Sequence, residues 1–139
     1  MANVIFTSKA TAKNGRDGHV KSEDGLIDVK LVNPATNKED KGSNPEQLFA
    51  AAYASCFDGA LNLVASKNKK EIDSLTTAAV SFLNDPEDNG FKISVELLVK
   101  IKGVDQNEAE DLVKKAHQVC PYSKATRGNV EVQLKPQAV

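Results

Sequence analysis

The chain of 139 residues contains no tryptophan, and aromatic residues make up only 5% of it. So few aromatic rings argue against a surface on which nucleic-acid bases stack. The formal net charge is −1, which leaves no broad cationic field to attract nucleic acids or acidic membranes. We therefore expect no nucleic-acid partner.

Long hydrophobic runs are also missing. No segment reaches the roughly 18 consecutive apolar residues of a membrane-spanning helix. The opening "MANVIFTSKA" lacks the basic region followed by an apolar run that marks a signal peptide. We therefore expect a cytoplasmic protein outside the membrane. In that compartment a cysteine pair is more often catalytic or redox-active than a structural disulfide.

The length fits one domain over residues 1–139, and the apolar patterns divide it into strands and helices. A turn is predicted at "NGRDG" (14–18), and the polar stretch over 33–45 is typical of a loop. Helices are predicted from Pro45 to about Lys67 and from Asp105 to Cys120. Glu108, three residues after Asp105, indicates a capping box, and Pro121 cannot continue the second helix. Strands are predicted over 4–11, 26–32, 75–84, 91–101 and 129–134. This order indicates an α+β domain.

The first predicted helix has clear signals at its start. Asn44 suits the N-cap, Pro45 the first helical position, and Glu46 the positive end of the helix dipole. Apolar residues cover nearly its whole circumference, which is typical of a buried helix. They are Leu48, Phe49, Ala52, Tyr53, Cys56, Phe57, Ala60, Leu61 and Val64. Its many alanines would let a neighbouring helix approach closely.

Only two cysteines occur, Cys56 and Cys120, and they do not form a Cys-x-x-Cys motif. On base rates alone, two buried cysteines that act as small apolar residues are the commoner outcome. A four-ligand zinc site is disfavoured because only His19 and His117 add soft donors. His117 could act as the base of a cysteine hydrolase, but nothing local marks it for that role, and a helix-end histidine is the simpler interpretation.

A reactive thiolate at Cys56 needs a helix N-terminus or a nearby cation. Cys56 lies roughly 16 Å along its helix from Pro45, beyond the reach of the helix dipole. An arginine must therefore supply the charge, and Arg16 and Arg127 are the only two in the chain. Both lie in turn-like sequence, and for an isolated arginine a solvated turn residue is the commoner outcome. Glu46 is a natural carboxylate to orient a planar guanidinium.

Glu46 raises a geometric difficulty, because on a straight helix it lies about 15 Å from Cys56. One arginine can hardly touch both side chains. Either the helix bends, or the Arg–Glu pair and the thiol come from different subunits. Together with the apolar, alanine-rich helix, this favours an intertwined homodimer with sites at the interface.

Two stretches, "NPEQLFAAAYASCFDGAL" and "VCPYSKATRGNVEV", resemble the organic hydroperoxide resistance proteins, the Ohr branch of the Ohr/OsmC superfamily. The opening "FTSKATAKNGRDGHVKSEDGLIDVKL" resembles that family too, so the similarity extends over essentially the whole chain. Lys124 and Ser43 depart from the residues expected there, asparagine and threonine. The resemblance implies an OsmC-like fold, with antiparallel sheets around a long buried central helix in an intertwined homodimer.

The resemblance also implies a thiol-dependent peroxidase that reduces organic hydroperoxides, including fatty-acid hydroperoxides, to alcohols. Cys56 falls on the peroxidatic cysteine and Cys120 on the resolving cysteine, which would join in a disulfide. Arg16 falls on the activating arginine and Glu46 on the acid that orients it. The implied reductant is a dihydrolipoyl dithiol on a lipoylated protein, with no bound cofactor or metal.

Three aromatic residues of the first helix, Phe49, Tyr53 and Phe57, are candidates to line an apolar approach for the substrate. At helical spacing such residues are more often plain core. The rival hypothesis from another class is a non-catalytic protein, either a thiol redox sensor or a small-molecule binding module.

Overall fold

The structure is a computed structural model that describes all 139 residues. The chain divides into two compact units, residues 1–48 and residues 49–139. Both units contain a β-sheet, and the boundary falls within the first long helix. The expected α+β class is therefore confirmed, whereas one domain over the whole length stays a prediction.

The first unit contains a three-stranded antiparallel sheet in the order β1-β2-β3. Its strands are β1 (Ala10–Lys13), β2 (His19–Ser22) and β3 (Asp28–Lys30). The predicted turn between β1 and β2 is confirmed, since Asn14 and Gly15 have left-handed backbone angles, with φ of 63° and 64°. The predicted strand over 4–11 is wrong for most of its length, because residues 1–9 pair with no strand.

The core of this unit is small. Leu31 and Val32 are its only buried apolar residues. Val4, Phe6 and Leu26 are largely exposed, although each is apolar. So short a segment rarely buries enough surface to be stable alone.

The first long helix, α1 (Pro45–Lys67), has the bounds that the sequence predicts. The Oδ1 atom of Asn44 accepts a hydrogen bond of 2.8 Å from the backbone N–H of Gln47, as an N-cap does. Within the single chain α1 is buried on one face, through Tyr53, Phe57, Ala60, Leu61, Val64 and Ala65. The opposite face is exposed, at Ala51, Ser55, Gly59 and Leu63.

Length and a mean hydropathy of 1.4 would also allow α1 to cross a membrane. The core helix of a soluble protein passes the same test, and α1 contributes several fully buried side chains to the core. Its Asp58 carboxylate accepts hydrogen bonds of 2.8 Å from Ser74 and Thr76. A carboxylate held in this way is typical of a helix packed on a sheet.

The second unit contains a mixed sheet in the order β4-β5-β6. The hairpin of β4 (Asp73–Asp85) and β5 (Gly90–Lys102) confirms and lengthens the predicted strands 75–84 and 91–101. Strand β6 (Glu131–Ala138) begins later than predicted and pairs with β5 in parallel, which corrects the expectation of antiparallel sheets throughout. The parallel pairing follows from the helical crossover that joins the two strands.

That crossover contains α2 (Gln106–Val119) and α3 (Pro121–Thr126). The predicted capping box is confirmed, since Asp105 and Glu108 each accept from the other's backbone N–H. Helix α3 was not predicted. The alternating residues of β5 pack in one core with the buried faces of α1 and α2. They are Val95, Leu97, Val99 and Ile101.

Candidate active site

Cys120 lies at the corner between α2 and α3. It is the C-cap of α2 and the N-cap of α3, and its Sγ accepts a hydrogen bond of 3.5 Å from the backbone N–H of Ser123. Pro121 explains the corner, because proline cannot continue α2 but suits the first position of a new helix. The Cys–Pro pair is therefore a signal for the start of α3 as well as for the end of α2.

The structure brings the two cysteines together. The Sγ atoms of Cys56 and Cys120 lie 3.6 Å apart, and both thiols are free. Cys120 is fully buried, whereas Cys56 remains partly accessible. A disulfide bond requires about 2.05 Å between its sulfurs, so a shift of roughly 1.5 Å would close it.

The pKa of the Cys56 thiol is raised, chiefly because burial disfavours the thiolate. The backbone N–H of Tyr122 acts in the opposite direction and lowers the pKa, and Cys120 raises it again. All of these groups belong to the second unit, and none is a cation. No sequence pattern indicated Tyr122, because its amide lies in the first turn of the unpredicted α3.

Arg16 and Glu46 pair within the first unit, as a bidentate ion pair with two N–O distances of 2.8 Å. Arg16 belongs to the turn Gly15–Asp17, and Glu46 to the first turn of α1. The hydrogen bond from Arg16 lowers the pKa of Glu46, and the same bond raises the pKa of Arg16. Both groups are therefore charged at neutral pH, and the carboxylate fixes the plane of the guanidinium.

The other candidate arginine has a different role. The Nη2 atom of Arg127 donates a hydrogen bond of 2.7 Å to the backbone carbonyl of His117, near the end of α2. Arg127 thus ties the end of α3 to the end of α2, where carbonyl groups otherwise lack partners.

An apolar cavity of about 290 Å³ opens in the second unit. The cavity is lined by Phe49, Ile93, Tyr122, Ala125, Thr126 and Val130. Of the three predicted lining aromatics only Phe49 is among them. Tyr53 and Phe57 are fully buried core residues, so the structure corrects their predicted place. Tyr53 instead supports the cavity wall, because its ring packs against Phe49 and Tyr122 with centroids 6.0 Å away.

No group of three or more histidine, cysteine, aspartate or glutamate side chains is arranged to hold a metal ion. The zinc alternative required Cys56, Cys120 and both histidines together. Instead, His19 pairs with Asp28 within the first unit, and the Nδ1 atom of His117 is bound to Ser123. The two cysteine thiols are the reactive groups that the fold brings side by side.

The protein has a mixed sheet, a central helix and two adjacent thiols. Comparison with known proteins identifies the family that shares these features. The family described as OsmC-like protein matches residues 38–135. OhrB and OhrA, organic hydroperoxide resistance proteins of Bacillus subtilis (strain 168), are 53% and 49% identical to the chain. The OhrB match covers 95% of this chain and 98% of OhrB, and the OhrA match covers 97% and 98%.

Solved structures agree. The crystal structure of Bacillus subtilis OhrB has a TM-score of 0.92 at 51% identity, with 95% of this chain and 98% of that chain covered. An organic hydroperoxide resistance protein from Elizabethkingia anophelis has a TM-score of 0.91 at 45% identity, with 99% and 100% covered. The chain belongs to the OsmC-like family, in the branch of the organic hydroperoxide resistance proteins. The resemblance and the OsmC-like fold are thereby confirmed.

Proposed function

We propose that the protein is a thiol-dependent peroxidase that reduces organic hydroperoxides to alcohols. The observation that carries the proposal is the separation of 3.6 Å between the sulfurs of Cys56 and Cys120, one accessible and one buried. The relatives named for organic hydroperoxide resistance support the choice of oxidant.

In the first step the Cys56 thiolate attacks the terminal oxygen of the hydroperoxide. The O–O bond breaks, the alkoxide takes up a proton and leaves as the alcohol, and Cys56 becomes a sulfenic acid. Arg16 is the proposed cation that favours the thiolate and stabilises the leaving oxygen, with Glu46 orienting its guanidinium. Arg16 would come from the first unit of the same chain or of a second copy.

In the second step the Cys120 thiol attacks the Cys56 sulfenic acid. An S–S bond forms, the S–O bond breaks, and the oxygen leaves as water. This protects Cys56 from further oxidation to sulfinic acid. A dihydrolipoyl dithiol, offered by a lipoylated protein, then reduces the disulfide by thiol–disulfide exchange and becomes oxidised itself.

The cavity beside Phe49 and Tyr122 suits a hydroperoxide with an alkyl or aryl tail. Burial of such a tail contributes about 25 cal/mol per Å², whereas hydrogen peroxide has no tail to bury. The exposed apolar residues of the first unit and the open face of α1 support an intertwined homodimer. The cytoplasm is its proposed compartment.

Peroxide consumption with dihydrolipoamide as reductant tests the proposal. We expect turnover with cumene hydroperoxide, and slower turnover with hydrogen peroxide. Cys56→Ser should abolish consumption. Cys120→Ser should consume one equivalent per site and then stop, or become dependent on external thiols, because the Cys56–Cys120 disulfide cannot form. Parental turnover in both variants would defeat the proposal.

A slow thiol sensor is the second candidate, and the raised pKa of Cys56 favours it. A sensor would oxidise once, over minutes, and would not need to be recycled. Stopped-flow oxidation of the reduced protein separates the two. A fast first step followed by dithiol-dependent turnover indicates the peroxidase, and a slow single oxidation indicates the sensor.

A further inference from the structure

Four side chains next to Cys120, the proposed resolving cysteine, form a continuous chain of hydrogen bonds. The Ser123 hydroxyl is 2.8 Å from the Nδ1 atom of His117 and 2.8 Å from the Tyr53 hydroxyl. The Tyr53 hydroxyl is also 3.2 Å from the Thr126 hydroxyl, which donates to the Ser123 carbonyl at 3.1 Å. Tyr53, Ser123 and Thr126 are buried, and His117 is partly buried.

The number of available hydrogens sets the direction of this chain. Each hydroxyl has one hydrogen to donate. Thr126 uses its hydrogen on the Ser123 carbonyl, so Tyr53 must donate to Thr126, and Ser123 must donate to Tyr53. The Ser123 oxygen can then only accept from His117, whose Nδ1 must carry a hydrogen.

If every donor and acceptor in this chain is exchanged, one of the four hydrogen bonds cannot form. If Ser123 donated to His117, Tyr53 would donate to Ser123, and Thr126 to Tyr53. No hydrogen would remain for the Ser123 carbonyl. Only the first arrangement makes all four contacts, and no buried side-chain nitrogen or oxygen then lacks a partner.

Ser123 connects this chain to the thiols. Its side chain receives the hydrogen bond from His117, while its backbone N–H donates to Cys120 Sγ. A shift of Ser123 therefore moves the donor that holds Cys120 next to Cys56. Arg127 fixes the same corner from the other side, through the His117 carbonyl.

We propose that His117, held as the Nδ1–H tautomer, is a positioning residue that keeps Cys120 within bonding reach of Cys56 through Ser123 and Tyr53. The inference rests on the proposed function, because it concerns the thiol that resolves the sulfenic acid. The Tyr53 hydroxyl acts as a middle link of the chain.

The tautomer is tested on the unmodified protein by ¹⁵N NMR with labelled histidines. The chain has only two histidines, so a His19→Asn variant assigns the signals. Burial, and then Arg127, lower the pKa of His117, so the ring should be neutral at pH 8. We expect a protonated Nδ1 and an unprotonated Nε2. The opposite tautomer would overturn the proposal.

Disulfide closure is tested in a glutathione buffer without peroxide. Glutathione disulfide oxidises the two thiols and yields two glutathione molecules, so the equilibrium constant reports how readily they join. His117→Ala and Tyr53→Phe should each lower this constant about five- to tenfold, the effect of one buried hydrogen bond. His117→Asn keeps an N–H donor near the Nδ1 position and should restore it to within about twofold.

The matched control is Gln118→Ala, because Gln118 is exposed and follows His117 in the sequence. It should leave the equilibrium constant for disulfide closure unchanged. Urea unfolding identifies any variant that merely loses its fold. Equal closure constants in all variants would overturn the positioning role. A parent protein that closes its disulfide but consumes no peroxide would defeat the proposed function, while the tautomer and the closure constants would still decide the positioning role.

Discussion

The two units of the chain differ in the size of their apolar core and in the functional side chains that they hold. Residues 49–139 contain nearly the whole apolar core and hold both thiols. Residues 1–48 bury two apolar side chains and hold the exposed ion pair of Arg16 and Glu46. Dense packing in the second unit holds the two sulfurs at a separation of 3.6 Å. The ion pair between a turn and the start of α1 relies on its two hydrogen bonds.

The largest expected effect is on the free energy of unfolding, when the same Leu→Ala substitution is made in the core of each unit. Leu97→Ala should destabilise the protein by about 3 to 4 kcal/mol, because Leu97 is fully buried in the large core and leaves a cavity. Leu31→Ala should cost about 1 to 2 kcal/mol, because a small core can collapse or admit water. Urea unfolding measures both. A larger loss at Leu31 would show that the first unit is the better packed in the assembly.

The next effect separates charge from geometry in the first unit. Arg16→Ala should slow oxidation of Cys56 by organic hydroperoxide about 100-fold, the usual loss when a stabilising charge is removed. Arg16→Lys keeps the charge but cannot form the bidentate pair with Glu46, and should recover only part of the rate. Stopped-flow oxidation measures each variant, with Lys13→Ala as the control.

A full rate in Arg16→Ala would contradict the role proposed for the guanidinium. It would leave the Tyr122 backbone N–H as the only described group that favours the thiolate. The two units would then differ in stability, and the first unit would contribute no charge to the reaction.

The smallest effect is a pH dependence of the ion pair. The pKa of Glu46 is lowered in the folded protein, so its contribution is fully present above the ordinary glutamate pKa of about 4.3. The contribution is lost as the pH falls through the lowered folded pKa, because protonation breaks the pair. It should stay below about 1 kcal/mol, since Arg16 is 42% exposed.

Urea unfolding of the parent and of Glu46→Gln between pH 6 and pH 3 measures this term. The stability difference between the two proteins should shrink as the pH falls. A difference that is constant over this range would show that Glu46 does not act through its charge.

Local signals in the sequence predicted much of the fold. Asn44 and Pro45 marked the start of α1, and Asp105 with Glu108 marked the start of α2. The strand over 4–11 was wrong because an apolar run becomes a strand only when it finds a neighbour with which to pair. Helix α3 was missed because Pro121 ends one helix and begins another with the same ring geometry.

The candidate site was predictable in part. The resemblance named Cys56, Cys120, Arg16 and Glu46, and the structure joins them as two pairs, a thiol pair and an ion pair. Their roles stay predictions. The cavity was less predictable, because helical spacing does not tell a core aromatic from a lining one. Tyr53 and Phe57 became core, and Tyr122 entered the lining from an element that no pattern had indicated.

The sequence by itself determined where the helices begin and which side chains could do thiol chemistry, because caps, proline and residue type act over a few neighbouring positions. Only the tertiary structure decided that two distant thiols meet, that the Tyr122 amide reaches Cys56, and that hydrogen bonds link His117 to Tyr53 through Ser123. Those distances depend on how α1, α2 and the sheet pack together, and close packing is a property of the whole core.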